Sequence, residues 1–398
     1  MHNILFDLSC LQAGPNAGGA AAYAKTILES LISSCKSDVR VFGLYNSQKP
    51  FHKLYQVEEF VNQNGIKLLD ASTITIAKLI TKYSINTFFI PVGQYVMSYD
   101  LSNILCRTIV VIHDIFDIEG DNIGIDTMLH DSNLYSKQIY IKKIINYYSK
   151  RRKHFLQKRY AEFIDFCKQS NVNLFTVSEY SKFSLQYHIH SLRQKKIGIL
   201  YSPAKRIIKK AQIENEILAS LIKENKKFFL LISANRIYKN AYNVLQAFML
   251  FSELNPDYYL ITVNYPKSLH KKHIVLPTLS ESDLEYAYQH AEALIFASFF
   301  EGFGYPPIEA MKYGTPVLAS NVTSIPEITN IGGLYFSPFY PADIFRALVQ
   351  FTKQDNMILR RNALMQYKTI STKQMNDLEK FVKLIISNSN NDIEKNNL

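Results

Sequence analysis

Residues 299–328 read FFEGFGYPPIEAMKYGTPVLASNVTSIPEI, and an apolar run over residues 293–297 leads into them. The run has the length and the uninterrupted apolarity of a buried strand in a parallel sheet. Gly302 and Gly304 follow within a few residues, and glycine lets a backbone turn tightly and approach a ligand closely. The stretch therefore predicts a strand that ends in a ligand-binding loop.

A helix and a second strand complete this unit. Pro306 and Pro307 predict the helix start, with Pro307 at its first position, where proline has no N–H to lose. Gly314 predicts the helix end, and residues 316–319 predict the next strand. Ligands of open α/β sheets bind at the carboxyl ends of parallel strands, and the unpaired N–H groups of a helix start favour an anion. We therefore expect an anion site here.

Two carboxylates flank the glycine loop: Glu301 at its start and Glu309 in the first turn of the predicted helix. Each has a purely structural explanation, since a first-turn glutamate complements the helix dipole and Glu301 fits a solvated loop. Because they occur together with the glycines, the prolines and the flanking strands, we interpret the pair as part of a functional site.

The whole stretch resembles the donor-binding signature of retaining GT-B glycosyltransferases, in particular family 4. In that family two glutamates with seven residues between them are followed by Ala-Met, a Gly-Thr-Pro-Val turn and a later Pro-Glu. This chain has the same groups in the same order: Glu301, Glu309, Ala310-Met311, Gly314-Thr315-Pro316-Val317 and Pro326-Glu327. The resemblance implies an α/β protein with the GT-B fold, in which two Rossmann-like domains face each other across a cleft.

The length of the chain agrees with two domains. At 398 residues it exceeds one ordinary core, and two domains of roughly 150–200 residues are expected. We predict an N-terminal, acceptor-side domain over residues 1–203, a nucleotide-sugar-binding domain over residues 204–387 and a disordered tail over residues 388–398. The resemblance implies that the last helix packs back on the first domain.

The composition is that of a soluble globular protein, with 47% apolar and 20% charged residues. No apolar run approaches the roughly 20 residues needed to span a bilayer, and the N-terminus lacks the pattern of a signal peptide. The four cysteines have no paired, metal-type spacing, which favours a reduced, cytoplasmic compartment. The net charge of +11 favours an anionic partner: a nucleotide sugar, a phospholipid surface or nucleic acid.

Cations follow the predicted strand over residues 228–232. Without further evidence, cations at a strand-to-helix junction are explained equally well by simple solvent exposure and by a functional role. The segment is similar to the family's phosphate-binding Arg and Lys-Asn, which implies that Arg236 and Lys239 contact the donor diphosphate and that Asn240 lies beside them.

Two other groups belong to the donor site implied by the resemblance. Leu279 and Glu281 occupy the place where the family contacts the nucleotide base. The loop formed by Gly302, Phe303 and Gly304 supplies backbone N–H groups to the phosphates.

The N-terminal half contains two candidate features. Gly18 and Gly19 lie between a predicted strand and a predicted helix, where they either approach phosphate or only turn the chain. His113 follows the predicted strand over residues 108–112, and an imidazole that titrates near neutral pH suits a general base. The alternative is a hydrogen-bonded structural histidine. The strand-end His-Asp resembles the family's acceptor-side motif, which implies that His113 contacts sugar or acceptor rather than acting as an obligatory base.

Residues 137–159 are the most basic stretch of the chain, and Ile141, Ile144, Ile145 and Tyr148 recur within it at helical spacing. This pattern predicts a basic amphipathic helix. The helix either lies peripherally on an anionic membrane surface or packs its apolar stripe in the core of its own domain and leaves only the cations in solvent.

The resemblance implies a retaining hexosyltransferase that moves a sugar from a UDP- or GDP-type donor to a glycan or lipid-linked acceptor, in surface polysaccharide or lipopolysaccharide synthesis. Glu301 would hold the donor sugar and Glu309 the ribose. Because Asp-x-Asp does not occur in the chain, we predict neither a metal nor a cofactor. Two alternatives stay open. The glutamates suit a glycosidase, although hydrolysis needs no phosphate cradle. A nucleic-acid-binding protein would explain the charge, but the chain contains no recognised binding module, so nucleic acid is not a predicted partner.

Overall fold

The computed structural model describes residues 1–12, 18–52, 55–119, 149–205 and 213–387, together with Gln138, Ile141, Lys142 and Ile145. These residues form two compact units. The first contains Met1–Ile115, Lys150–Arg206 and the described residues from Lys373 onward, and the second contains Phe116–Ser149 and Ile207–Thr372. The described residues of Phe116–Ser149 thus group with the second unit, whereas we predicted one uninterrupted first domain. The predicted tail over residues 388–398 lies outside the described residues.

A seven-stranded parallel sheet forms the centre of the first unit, in the order β3-β2-β1-β4-β5-β6-β7. Most strand side chains are buried, as expected for a parallel sheet whose strands are nearly continuous apolar runs. The chain order reverses between β1 and β4, which creates a topological switch point. The strands are His2–Asp7 (β1), Val39–Tyr45 (β2), Lys67–Asp70 (β3), Thr87–Ile90 (β4), Arg107–Ile112 (β5), Val172–Thr176 (β6) and Ile197–Ile199 (β7).

The second unit is built on a six-stranded parallel sheet, in the order β10-β9-β8-β11-β12-β13. Its switch point lies between β8 and β11, where Leu230 pairs with Leu294. Every residue of β11 and β12 is buried, as the apolar runs predicted. The strands are Lys227–Leu231 (β8), Tyr258–Val263 (β9), His273–Leu276 (β10), Ala293–Phe296 (β11), Val317–Ser320 (β12) and Gly333–Phe336 (β13).

Helices connect most of the parallel strands. In the first half of the chain they are Gly19–Ser34 (α1), Val57–Gln63 (α2), Ile76–Lys82 (α3), Gly93–Val96 (α4), Phe116–Glu119 (α5), Lys150–Lys168 (α6) and Glu179–His188 (α7). In the second half they are Glu216–Lys223 (α8), Ala241–Leu254 (α9), Glu281–His290 (α10), Tyr305–Met311 (α11), Ile325–Thr329 (α12), Pro341–Lys353 (α13) and Asn356–Ile386 (α14). No helix among the described ranges combines the length and the apolarity that a membrane span requires.

The last helix, α14, begins in the second unit and ends in the first, since the division between the units falls after Thr372. Its C-terminal half has both polar and aromatic contacts within the first unit. Gln374 Nε2 donates to the Ser202 carbonyl oxygen at 2.5 Å. The Phe381 ring lies 5.3 Å, between centroids, from both Phe89 and Phe175. This half of α14 is therefore part of the first unit's core.

Candidate active site at the carboxyl ends of β8 and β11

Two loops leave the second sheet on either side of its switch point. One follows β8 and ends in a short 3-10 helix over Ile237–Lys239, and the other follows β11 and contains the glycine loop. The Phe299 N–H donates to the Tyr238 carbonyl oxygen at 2.8 Å, which joins the two loops directly. Ligands of open parallel sheets bind at such a position, so the topology itself places the predicted cations beside the predicted carboxylates.

Lys239 and Glu301 form a buried ion pair at this junction. The distance from Lys239 Nζ to Glu301 Oε1 is 2.5 Å, and the side chains are 7% and 15% exposed. The ammonium group also lies 4.5 Å from the centre of the Phe296 ring, a favourable cation–π contact. An ammonium group has three N–H donors, and Glu301 is the hydrogen-bond partner of Lys239 among the described residues. Donors therefore remain for an anionic ligand.

The Glu301 carboxylate is fixed from one side. Ser298 Oγ donates to Oε1 at 2.8 Å, and the Glu301 N–H donates to Thr323 Oγ1 at 3.2 Å. Ser324 Oγ shares its proton between the carbonyl oxygens of Glu301 and Phe303, at 2.9 and 3.1 Å. Ser298 and Lys239 both bind Oε1. The other carboxylate oxygen, Oε2, accepts no hydrogen bond within the described part of the chain and stays available as an acceptor. Ser298, Thr323 and Ser324 were not among the predicted site residues.

The glycine loop continues into α11. Gly304 adopts a φ of +104°, a left-handed conformation that favours glycine. The helix begins at Tyr305, so Pro307 is its third residue, and the prediction that Pro307 occupies the first position is wrong. The first four N–H groups of a helix have no intrahelical partner, so both Pro306 and Pro307 fit without losing a hydrogen bond.

Glu309 lies in the second turn of α11, because the helix begins two residues earlier than predicted. Its placement in the first turn was therefore wrong, and the helix dipole does not explain it. Tyr288 Oη in α10 donates to Glu309 Oε2 at 2.9 Å. Tyr288 is buried, whereas Glu309 is partly exposed. The carboxylate is thus held from the protein interior and accessible from outside, and Tyr288 was missed by the sequence reasoning.

The other two residues of the β8 loop have different surroundings. Arg236 is partly exposed, and its Nη1 donates to Tyr238 Oη at 2.9 Å. Asn240 is buried and adopts a left-handed φ of 60°. Its amide donates to the Pro338 carbonyl oxygen at 2.7 Å, as does that of Asn243 at 3.0 Å. The Asn240 side chain therefore orders the loop behind Lys239 and does not point to a ligand.

Leu279 and Glu281 follow β10, which lies two strands away from β8 in the sheet. Leu279 is partly exposed, and Glu281, the first residue of α10, is exposed. Ser280 caps this helix by accepting from the Asp283 N–H at 3.1 Å. Thr278 Oγ1 donates to Asn264 Oδ1 at 2.9 Å, which links this loop to the end of β9. Both predicted residues thus lie at the carboxyl edge of the same sheet as Lys239 and Glu301.

His113 follows β5 in the first unit. Its Nε2 lies 3.0 Å from the Pro91 carbonyl oxygen, and since a carbonyl only accepts, Nε2 carries the proton. The ring packs edge-on against Tyr23, with centroids 4.5 Å apart. Burial lowers the pKa of His113 from 6.5 to about 4. The expectation that it titrates near neutral pH is therefore wrong; the imidazole is neutral at pH 7, with Nδ1 as a hydrogen-bond acceptor.

The predicted N-terminal glycine loop is described only at its end. Gly19 is the first residue of α1 and Gly18 precedes it, while residues 13–17 lie outside the described residues. Tyr55 Oη donates to the Gly18 carbonyl oxygen at 3.2 Å. At the end of β1, Asp7 is fully buried, and its Oδ1 accepts from the Ser9 N–H at 3.1 Å and from Ser9 Oγ at 2.5 Å. Its Oδ2 has no hydrogen-bond partner among the described residues, and burial raises the pKa of Asp7 to about 7.

The described residues of the basic segment, apart from Ser149, are helical. Ile141 and Ile145 are 48% and 65% exposed, so at these two positions the apolar stripe is not packed in a domain core, contrary to the purely structural alternative. Ile144 and Tyr148 lie outside the described residues.

The parallel sheet in each unit, with loops at the carboxyl strand ends, defines the GT-B class of fold, and solved structures confirm this prediction. Anabaena Alr3699/HepE in complex with UDP and glucose has a TM-score of 0.64 at 13% identity, covering 97% of this chain and 100% of that one. WaaG, a glycosyltransferase involved in lipopolysaccharide biosynthesis, has a TM-score of 0.60 at 14% identity, covering 97% and 100%. At such identities the similarity shows the fold alone.

The sequence also resembles known glycosyltransferases, as predicted. The family model described as glycosyl transferases group 1 matches residues 212–367. The O-antigen chain mannosyltransferase RfbU of Salmonella typhimurium is 29% identical over 202 residues, which cover 46% of this chain and 52% of RfbU. The O-antigen chain mannosyltransferase B of Escherichia coli is 48% identical over 58 residues, or 15% of each chain. The chain thus spans about half the length, or less, of these curated relatives.

Proposed function

We propose that the protein is a retaining glycosyltransferase that transfers a hexose from a nucleotide-diphosphate donor to a glycan or lipid-linked acceptor. The observation that carries this proposal is the buried Lys239–Glu301 pair, which places an ammonium group and a carboxylate on two loops at the switch point of the second sheet. The Lys239 ammonium group would bind the diphosphate, and the Glu301 carboxylate would accept hydrogen bonds from the sugar hydroxyls. The match to a glycosyltransferase family over residues 212–367 favours transfer over the glycosidase and nucleic-acid-binding alternatives.

The donor diphosphate gains negative charge as the glycosidic bond breaks. Lys239, the partly exposed Arg236 and the backbone N–H groups of residues 302–304 would stabilise that charge, which is a large contribution when the donors are preorganised. These three kinds of donor would stabilise the negative charge that a divalent cation stabilises in metal-dependent transferases. We therefore propose a metal-independent enzyme without a cofactor.

The two glutamates would bind different parts of the donor. Glu301 Oε2 is free to accept from a sugar hydroxyl, while its Oε1 is held by Lys239 and Ser298. Glu309 would accept from the neighbouring hydroxyls of the ribose, which one carboxylate can do at two oxygens. Leu279 and Glu281 would lie at the base. With His113 neutral, its part in the reaction would be to accept a hydrogen bond from sugar or acceptor. The departing phosphate, on the same face of the sugar, would take the acceptor proton, and the configuration would be retained.

Mannose is the proposed sugar, and a surface polysaccharide or lipopolysaccharide is the proposed product. The support comes from the relatives, since both RfbU and the Escherichia coli protein are named O-antigen chain mannosyltransferases. The donor is then a GDP- or UDP-linked hexose.

We further propose that the enzyme works at the cytoplasmic face of a membrane that carries its acceptor. The net charge of +11 and the exposed Ile141 and Ile145 suit an anionic, partly apolar surface. Sedimentation with anionic vesicles tests the proposed membrane association separately from the transfer reaction. The protein should pellet at low salt, an Ile141→Ser, Ile145→Ser variant should pellet less, and equal recovery of both proteins in the supernatant would contradict it.

The function itself is tested by a thermal-shift screen of GDP- and UDP-sugars, followed by transfer to a lipid-linked glycan. A donor that binds the native state raises the melting temperature. We expect a GDP- or UDP-hexose to stabilise the protein and to release nucleoside diphosphate when acceptor is present. NMR of the product should show the anomeric configuration of the donor. An inverted product would contradict retention, and stabilisation by none of these nucleotides would contradict the donor site.

A further inference from the structure

Tyr288 and Glu309 form a contact between two helices. Tyr288 lies in the last turn of α10 and is only 2% exposed. Its phenol oxygen donates to Glu309 Oε2 in α11 at 2.9 Å. A carboxylate at the end of a flexible glutamate side chain can adopt many orientations, and a hydrogen bond from a buried donor selects one of them.

The tyrosine is itself anchored. Thr315 Oγ1 donates to the Tyr288 carbonyl oxygen at 2.6 Å, and Thr315 is fully buried in the turn between α11 and β12. Gly314 at this turn adopts a φ of +72°, which favours glycine. The backbone of Tyr288 is thus held by the same segment that ends the helix carrying Glu309. Tyr288 and Glu309 are therefore fixed relative to each other by both a side-chain and a backbone contact.

The direction of the hydrogen bond does not change with pH in the range where proteins work. Burial raises the pKa of the Tyr288 phenol well above its ordinary value, and the neighbouring Glu309 carboxylate raises it further. The phenol therefore keeps its proton and donates at all times. A cationic lysine or histidine in the same place would neutralise the Glu309 carboxylate and compete with the ligand for it. A neutral phenol orients the carboxylate and leaves its negative charge in place.

We propose that Tyr288 is a positioning residue for the donor: it orients the Glu309 carboxylate to accept from both hydroxyls of a ribose, and so makes the site select ribonucleotides over deoxyribonucleotides. This inference rests on the proposed function, in which Glu309 binds the ribose. Without the phenol, Glu309 would rotate and lose part of its hydroxyl contacts, while the diphosphate contacts of Lys239 would be unaffected.

Equilibrium binding of GDP and UDP, and of their 2′-deoxy and 3′-deoxy counterparts, tests the inference by calorimetry. For Tyr288→Phe, which keeps the packing volume, we expect the affinity for the ribonucleotide to fall roughly tenfold, as is typical for a hydrogen bond to a charged group. The affinity for the deoxynucleotides should change little, so the ribose selectivity falls. In a Glu309→Ala background, Tyr288→Phe should have no further effect, because the two residues act through one contact.

A matched control is Tyr335→Phe, which removes a tyrosine hydrogen bond of similar length in the same unit, the 2.8 Å bond from Tyr335 Oη to the Asn330 carbonyl oxygen. It should leave the selectivity unchanged. If the wild type binds none of these nucleotides, the proposed function fails. If the wild type binds and selects ribose but Tyr288→Phe, folded by its melting temperature, selects equally well, only the role of Tyr288 is refuted. An effect of Tyr288→Phe that persists undiminished in the Glu309→Ala background would also refute it.

Discussion

Glu301→Gln is expected to tighten the binding of a nucleoside diphosphate while it reduces sugar transfer. Lys239 Nζ lies 2.5 Å from Glu301 Oε1 in a largely buried pair. A diphosphate that binds the remaining N–H donors of Lys239 shares the ammonium charge with Glu301, so the two anions compete for that charge. Glutamine keeps the shape of the side chain and the acceptor for Ser298 but removes the negative charge, so the competition becomes weaker.

The magnitude follows from the kind of contact that is lost. A hydrogen bond to a charged group contributes about 1.5–3 kcal/mol and a neutral one about 0.5–1.5 kcal/mol. Replacing the carboxylate therefore removes about 1–1.5 kcal/mol of competition, which corresponds to a roughly tenfold lower Kd for the diphosphate. The same change leaves the buried Lys239 ammonium without its counter-charge, so the melting temperature of the free protein should fall.

Calorimetric titration of wild type and Glu301→Gln with GDP and UDP measures this effect. The control is Glu285→Gln, which removes the charge from another ion pair of the second unit, that with Lys312 at 3.0 Å, and should leave the Kd unchanged. A Kd for Glu301→Gln that stays the same or rises would refute the reasoning, because Glu301 and the phosphate would then not compete for the charge of Lys239.

Four other changes have defined outcomes. Lys239→Ala and Glu309→Ala should keep the fold, with a lower melting temperature for Lys239→Ala because Glu301 loses its counter-charge, and should reduce transfer at least roughly tenfold, since each loses a charge-assisted contact of about 1.5–3 kcal/mol; near-wild-type turnover at saturating donor would contradict the assignment. Transfer should survive excess chelator, and activity that is lost in chelator and restored by magnesium or manganese would contradict a metal-free mechanism. Burial raises the pKa of Asp7 from 3.8 to about 7, so the folded protein keeps a proton that the unfolded chain releases, and stability falls as the pH rises between these values. Asp7→Asn should therefore gain about 3–4 kcal/mol relative to wild type between about pH 4 and pH 8 in urea unfolding; parallel pH profiles would be the contrary result.

Much of the second unit was predictable from the sequence because its strands are short, continuous apolar runs. The run over residues 293–297 became β11, and residues 316–319 became β12 with a shift of one residue. Parallel strands bring their carboxyl ends to one edge, so the rule for ligand sites in such sheets was enough to bring Lys239 near Glu301. In the described part of residues 205–227, which leads into β8, only Glu216–Lys223 is helical.

Side-chain partners distant in the sequence were not predictable. Tyr288 and Glu309 are joined through the packing of α10 on α11, and nothing in the local pattern of either helix shows which way the tyrosine points. The Thr323 hydroxyl, in the loop after β12, accepts a hydrogen bond from the backbone N–H of Glu301. The same limit applies to His113, since its residue type indicates a pKa near neutrality, whereas burial of the ring lowers the pKa and the hydrogen bond to Pro91 offsets only part of that shift.

A crystal structure of the protein with the nucleoside diphosphate that stabilises it most tests the central claim directly. The distal phosphate should lie about 3 Å from Lys239 Nζ, the ribose hydroxyls should contact Glu309, and the distance between Lys239 Nζ and Glu301 Oε1 should exceed 2.5 Å. A nucleotide bound elsewhere, with the Lys239–Glu301 pair unchanged, would contradict the proposed donor site.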